Sequence, residues 1–129
     1  MRGLILAFAS WLAFCGAALA TTDAEHVYTD PAALHAALEN PADGETPRLH
    51  AFVAGLEKGL AIANSRLLHG KKPRLYCDPN GETFDERALV DLYKAEYRRM
   101  VDEYGAAYVK NMTPSFVMLH AFEKKYPCP

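Results

Sequence analysis

Cysteine is scarce in this chain, tryptophan nearly absent, and paired metal-ligand spacings are missing altogether. Of 129 residues, three are cysteine and one is tryptophan. Cys15, Cys77 and Cys128 form no Cys-x2-Cys pair, and His26, His35, His50, His69 and His120 include no His-x3-His pair. Zinc sites depend on such spacings, because two ligands must reach one tetrahedral centre from one turn or one helix face. No metal and no cofactor is expected. Gly-x-Gly-x-x-Gly and Gly-x-Ser-x-Gly are missing too, which leaves phosphate cradles and hydrolase elbows without support. No strand signal is found either, so the fold class is all-α. With no catalytic constellation in view, the chain reads as a binding protein and not as an enzyme.

What is present begins with an address. Arg2 is followed by an almost wholly apolar run from Gly3 to Leu19, and Ala18-Leu19-Ala20 sets small residues where a signal peptidase inspects them. Residues 1–20 read as a secretory signal cleaved after Ala20, which would export the rest of the chain. The rival is an uncleaved anchor, because the run approaches the roughly 20 residues that span a bilayer. A lipoprotein reading through Cys15 is disfavoured by Phe14, which is too large for the position before a lipidated cysteine. Cleavage removes Cys15, Trp11 and Arg2. Taking Arg2 from the 14 basic residues leaves 13 against 16 acidic, a net charge of −3 with histidine neutral. Nucleic acid is therefore not an expected partner.

The two remaining cysteines suit an oxidising compartment and are expected to form one disulfide, Cys77 to Cys128. It would close a unit of turn, helix, short connection and helix. Thr83 with Glu86 reads as a capping box at the first of those helices, and Thr113-Pro114 as the start of the second. Thr113 also completes the acceptor triplet Asn111-Met112-Thr113, but it is better used as a cap.

The rest follows in order. Residues 21–45 form an N-terminal segment, loose to Thr29, with one short helix opened by Asp30-Pro31 and ending near Glu39; 46–129 form the helical domain. Thr46-Pro47 opens the longest helix, to about Leu68, with Leu49, Phe52, Val53, Leu56, Leu60, Ala63 and Leu67 on one apolar face. Beside them Ala51, Gly55, Gly59 and Ala63 recur every fourth residue. Two interior glycines cost about 1 kcal/mol each against alanine, so this ridge is expected to seat a close helix, from within the chain or from a second copy. Phe84, Val90, Tyr93, Tyr97, Met100, Val101 and Tyr104 form the inward stripe of a further helix that ends near Gly105. Asp91, Lys94, Glu96, Arg98, Arg99, Asp102 and Glu103 read as its solvent face, and Glu39, Glu45 and Glu57 show no pairing beyond an ordinary surface. The architecture expected is a compact bundle of about four helices with one disulfide.

Residues 69–82 gather two helix ends, the cations Lys71, Lys72 and Arg74, then Tyr76, Asp78 and Asn80 around Cys77. Cations past a helix C-terminus ordinarily complement its dipole. The sharper reading makes Lys71, Lys72, Arg74, Tyr76, Asp78 and Asn80 a partner-binding loop that a disulfide pre-orders, lowering the entropy lost on docking.

Three segments give the chain a family likeness: Leu49-His50-Ala51-Phe52-Val53-Ala54-Gly55, Tyr76-Cys77-Asp78-Pro79 and Lys125-Tyr126-Pro127-Cys128. Their order and intervals resemble the cysteine-small-Gly-Tyr-x-x-Gly segment, the Phe-Cys-x-Pro turn and the terminal Phe-Pro-Cys of the Rap1a/Tai family, small immunity proteins of bacterial type VI secretion. The family often carries a second bridge between its first two helices. Here Leu49 stands at one of its positions and the first helix holds no cysteine, so both members are missing together. The resemblance implies an all-helical, often dimeric periplasmic protein that inhibits a secreted peptidoglycan amidase by inserting part of itself into the cleft. A periplasmic acid-stress chaperone of the HdeA kind, also small, helical and singly bridged, is the alternative; it would loosen near pH 3 and bind clients. Another small exported binding protein is a further one.

Overall fold

The computed structural model describes residues 22–78 and 83–129; the expected leader, residues 1–20, and Asn80 lie outside them. Among the described residues the chain is all-α, with six helices: α1 (Thr22–Thr29), α2 (Pro31–Glu39), α3 (Thr46–His69), α4 (Glu86–Tyr104), α5 (Ala106–Val109) and α6 (Pro114–Lys125). No described helix is long and apolar enough to cross a membrane. Helices α2, α3, α4 and α6 build a compact bundle around α4.

Local chemistry sets most boundaries. Asp30 caps α2 through Oδ1, which accepts the amides of Ala32 and Ala33 at 2.7 and 3.1 Å. Thr113 caps α6 by accepting the Phe116 amide at 3.3 Å. The start of α4 differs from the expected capping box, because Asp85 takes the cap and accepts the Ala88 amide at 2.7 Å. Its carboxylate lies next to the positive helix end, which favours it over the Thr83 hydroxyl. Residues 22–29, expected to be loose, form α1: Tyr28 packs on Phe52 with ring centroids 4.8 Å apart, and that contact supplies the burial the short segment lacks by itself. α3 starts one residue early, and Glu45 in its cap position makes no side-chain cap bond.

The far end of α3 closes in a Schellman motif. The Lys71 amide bonds the Leu68 carbonyl at 3.1 Å and the Lys72 amide bonds that of Leu67 at 2.9 Å. Gly70, the residue type that usually turns left-handed after a helix, keeps φ −77°, and Lys71 adopts φ 53° instead. A Cβ in that conformation costs about 1–2 kcal/mol. The strain sits within a run of cations.

The core is one cluster. Tyr93 is fully buried in its middle and donates its hydroxyl to the Pro31 carbonyl at 3.3 Å, tying α4 to the start of α2. Burial pushes the Tyr93 hydroxyl far up, so it stays a neutral donor. Tyr76, Phe84 and Tyr126 surround Phe122, with Tyr76 stacked on it at a centroid distance of 5.0 Å. Above this layer Cys77 and Cys128 are bonded to each other, and the Cys77 amide donates to the Tyr126 carbonyl at 2.8 Å.

Among the described residues nothing packs on the ridge of small residues. Ala51, Gly55, Gly59 and Ala63 are all exposed, and a Cβ added at Gly55 or Gly59 meets nothing within 4 Å. Among the described residues no helix contact compensates for the two glycines. Gly55→Ala and Gly59→Ala are each expected to raise stability by about 1 kcal/mol through helix propensity alone. Urea melts combined with sedimentation of each variant check this. A loss of stability accompanied by a fall in mass would reveal a second copy seated on the ridge.

Candidate functional site

Two surfaces qualify, and they are built differently. The first is the expected loop after α3. Lys71, Lys72 and Arg74 are exposed, as a docking loop requires. Tyr76 departs from the expectation: it is 6 % exposed and stacked in the core, so its ring is not offered to a partner. Asp78 is half-buried. Asn64, which the sequence reading passed over, shapes this loop. Its Oδ1 accepts the Leu75 amide at 2.8 Å and its Nδ2 donates to the Tyr76 carbonyl at 2.9 Å, fastening the returning chain to α3. The available signal was a lone amide among the alanines and leucines of that helix.

The second surface was not expected. Gly105, at φ 86°, breaks the chain between α4 and α5 with a conformation that side-chain-bearing residues avoid. The break brings Tyr104 and Tyr108 together, ring centroids 5.8 Å apart, beside Phe116 of α6. These rings are 44, 58 and 45 % exposed. Tyr108 and Phe116, with Asn111, Met112 and Thr113, line a hollow of about 430 Å³, and a smaller one of about 170 Å³ continues it toward Met100 and His120. Tyr104 was expected at the end of a core stripe. It is exposed because α4 extends beyond the core there.

Next to the hollow lies a polar cluster that corrects the reading of the outer face of α4. Glu96 is 6 % exposed, not a solvent-face residue. Its carboxylate accepts the Arg99 Nε at 3.0 and 3.1 Å and pairs with His120 Nδ1 at 2.8 Å. Burial alone would raise its pKa, but the hydrogen bonds from Arg99 and His120 outweigh burial and hold it below the ordinary value. Arg99 also pairs with Glu103. A second network corrects the reading of Glu39 as unpaired: the side chain receives Lys94 at 3.1 Å and also Arg98, joining α2 to α4. Those bonds hold its carboxyl low. Between them His35 stacks on Tyr97 at 4.4 Å, and burial pushes its pKa down. Glu57 is buried as well, with Lys58 Nζ 3.0 Å from its carboxylate.

Among the described residues no three of histidine, cysteine, aspartate and glutamate are grouped to hold a metal ion. Neither family models, nor curated proteins, nor solved structures match the chain. The aromatic hollow is thus weighed on its own composition. Exposed tyrosine and phenylalanine with methionine at the centre of a concave patch is the composition of protein interfaces.

Proposed function

We propose that this chain is an exported protein inhibitor of the immunity kind that its sequence resembles, and that it acts by docking onto another protein through the hollow between α4, α5 and α6. The observation that carries the reading is the convergence of Tyr104, Tyr108 and Phe116, three large rings left roughly half exposed around a concave surface. Leaving such rings in water forgoes burial worth about 1.5–3 kcal/mol each, which a partner recovers. The resemblance supplies the kind of partner, a secreted peptidoglycan amidase. The bonded pair Cys77 and Cys128 supports it, because the bond brings Tyr76-Cys77-Asp78 and the terminal Tyr-Pro-Cys segment into one unit, and these belong to two of the three segments that carry the likeness.

A secreted amidase encoded beside this chain is the first partner to test. Tyr104→Ser, Tyr108→Ser and Phe116→Ser combined are expected to weaken capture of it at least a hundredfold, since rings of this kind dominate interface energetics. Circular dichroism of the variant should match the parent. Full capture by the folded variant would refute the hollow as the interface. Loss of capture on reversing Lys71, Lys72 and Arg74 instead would move the interface to the loop after α3.

One observation favours the acid-stress chaperone as a second reading. The buried Glu96 pairs α4 with His120 of α6 as a carboxylate held ionised by Arg99, so its protonation in strong acid would weaken that contact next to the exposed rings. Client binding that appears only below about pH 4, the range in which such carboxylates take up protons, would support it over inhibition.

A further inference from the structure

The end of α3 remains unabsorbed by the aromatic hollow. Arg66, Lys71, Lys72 and Arg74 are all exposed and make no ion pair among the described residues. Five other cations are engaged, Arg48 with Glu45, Lys58 with Glu57, Lys94 and Arg98 with Glu39, and Arg99 with Glu96 and Glu103, while Arg87, Lys110 and Lys124 stand singly elsewhere and form no comparable cluster. The cluster is also larger than its helix needs. A helix C-terminus carries about half a negative charge, and here the Schellman motif already satisfies its last carbonyls. Four positive charges against half a negative one leave a surplus. It stands on a chain whose expected exported form is net acidic.

Two large aliphatic side chains share this end. Ile62 is 62 % exposed and Leu68 is 54 % exposed, and between them along the helix come Ser65 and the edge residue Arg66. The surface is convex, a helix tip with only a shallow hollow of about 200 Å³ beside Leu68 and Arg74. Asp78, half-buried at the edge of that hollow, is the one described acid there. Among the described residues no tyrosine, phenylalanine or tryptophan ring is exposed at the tip, because Tyr76 turns inward.

We infer that this tip docks onto an anionic lipid surface, with Lys71, Lys72, Arg74 and Arg66 at the headgroups and Ile62 and Leu68 at the acyl boundary. Composition decides between lipid and protein. Protein interfaces are enriched in aromatic residues and arginine and depleted in lysine; here arginine is present, but two of the four cations are lysine and no exposed tyrosine, phenylalanine or tryptophan accompanies them among the described residues. Flexible lysines beside bare aliphatic side chains on a convex end suit a planar, diffuse negative surface, which needs no complementary pocket. The left-handed Lys71 places a charged side chain at a position where glycine would be the relaxed choice. Each cation near such a surface strengthens binding about fivefold, so the four together contribute on the order of several hundredfold at low salt.

The test uses the chain from Thr21 onward, which keeps every described core residue and removes the apolar leader that would itself enter bilayers. Co-sedimentation is measured with vesicles of equal phosphatidylglycerol and phosphatidylcholine, and with pure phosphatidylcholine. Binding is expected to the anionic vesicles only, falling steeply as salt shortens the Debye length below about 8 Å. Lys71→Glu, Lys72→Glu and Arg74→Glu combined should reduce it at least a hundredfold. Ile62→Ser with Leu68→Ser should reduce it about tenfold, and Lys110→Glu, away from the tip, should leave it unchanged. Equal sedimentation with both vesicle types, or an undiminished charge-reversed variant, would overturn the inference. Absence of vesicle binding, with the charge-reversed variant failing instead to capture a protein partner, overturns it too and assigns the tip to an acidic protein surface.

Discussion

Replacing Cys77 and Cys128 together by serine is expected to lower the unfolding free energy by about 4 kcal/mol, the chain-entropy value for a loop of this length. The cysteines are 51 positions apart, and the loop they close holds α4, α5 and α6. Without the bond, the segment around Tyr76 must find the end of α6 by packing alone. Non-covalent ties remain there: the Asn64 bonds, the Tyr76–Phe122 stack and the Cys77 amide on the Tyr126 carbonyl. They preserve the native structure but do not shorten the denatured chain. Since small domains have only about 5–15 kcal/mol in total, the variant is expected to lie close to its unfolding threshold at 37 °C. Urea melts of the oxidised, reduced and serine forms measure the difference. A loss below about 1 kcal/mol would mean that the denatured chain already holds these two segments together, contrary to the entropy argument.

The second large effect is expected at Arg99. Arg99→Met keeps much of the side-chain stem and removes the guanidinium that bonds both carboxylate oxygens of Glu96, leaving a buried carboxylate with His120 alone. A fully buried pair broken in this way loses about 3–5 kcal/mol; Arg99 is a quarter exposed, so water replaces part of the interaction and about 2–3 kcal/mol is expected at neutral pH. The pH dependence has a definite sign. In the parent, the folded pKa of Glu96 lies below its ordinary 4.5, so its stabilising contribution is present above that value and is lost as pH falls through the lower folded value. In the variant, burial acts with less opposition and raises that pKa, so protonation relieves the penalty. The gap between parent and variant should therefore narrow from about pH 7 to about pH 3.5. A gap that stays constant over this range would show that Arg99 acts through packing and not through the Glu96 charge.

Much of the helical content could be read from local chemistry, because caps and helix faces are determined within a few residues. Asp30-Pro31 and Thr113-Pro114 start helices where expected, Gly105 stops one, and Leu49, Val53, Tyr93, Met100 and Val117 point inward. The disulfide followed from counting cysteines outside the expected leader. Local signals also misled in instructive ways. Thr83 and Glu86 had the spacing of a capping box, but Asp85 offered a charged acceptor nearer the helix. Gly70 had the residue type for a left-handed turn, but Lys71 held the geometrical position.

What this sequence determined by itself was the fold class, most helix boundaries and the bridge, since those depend on neighbours along the chain and on residue count. Only the tertiary structure decided which surfaces are open. A ridge of small residues looks the same in sequence whether a helix covers it or water does, and Gly55 and Gly59 proved open because none of the described elements crosses α3 on that side. Tyr76 and Tyr104 are the same residue type in comparable aromatic stretches. The one is buried against Phe122 by the returning loop, while the other extends past the end of the core onto the hollow. Glu96 was one charge among seven on a helix until α6 placed His120 beside it. Burial is set by contacts between residues far apart in the chain, here 21 to 24 positions for the Arg99, Glu96 and His120 cluster, and no local pattern encodes those contacts.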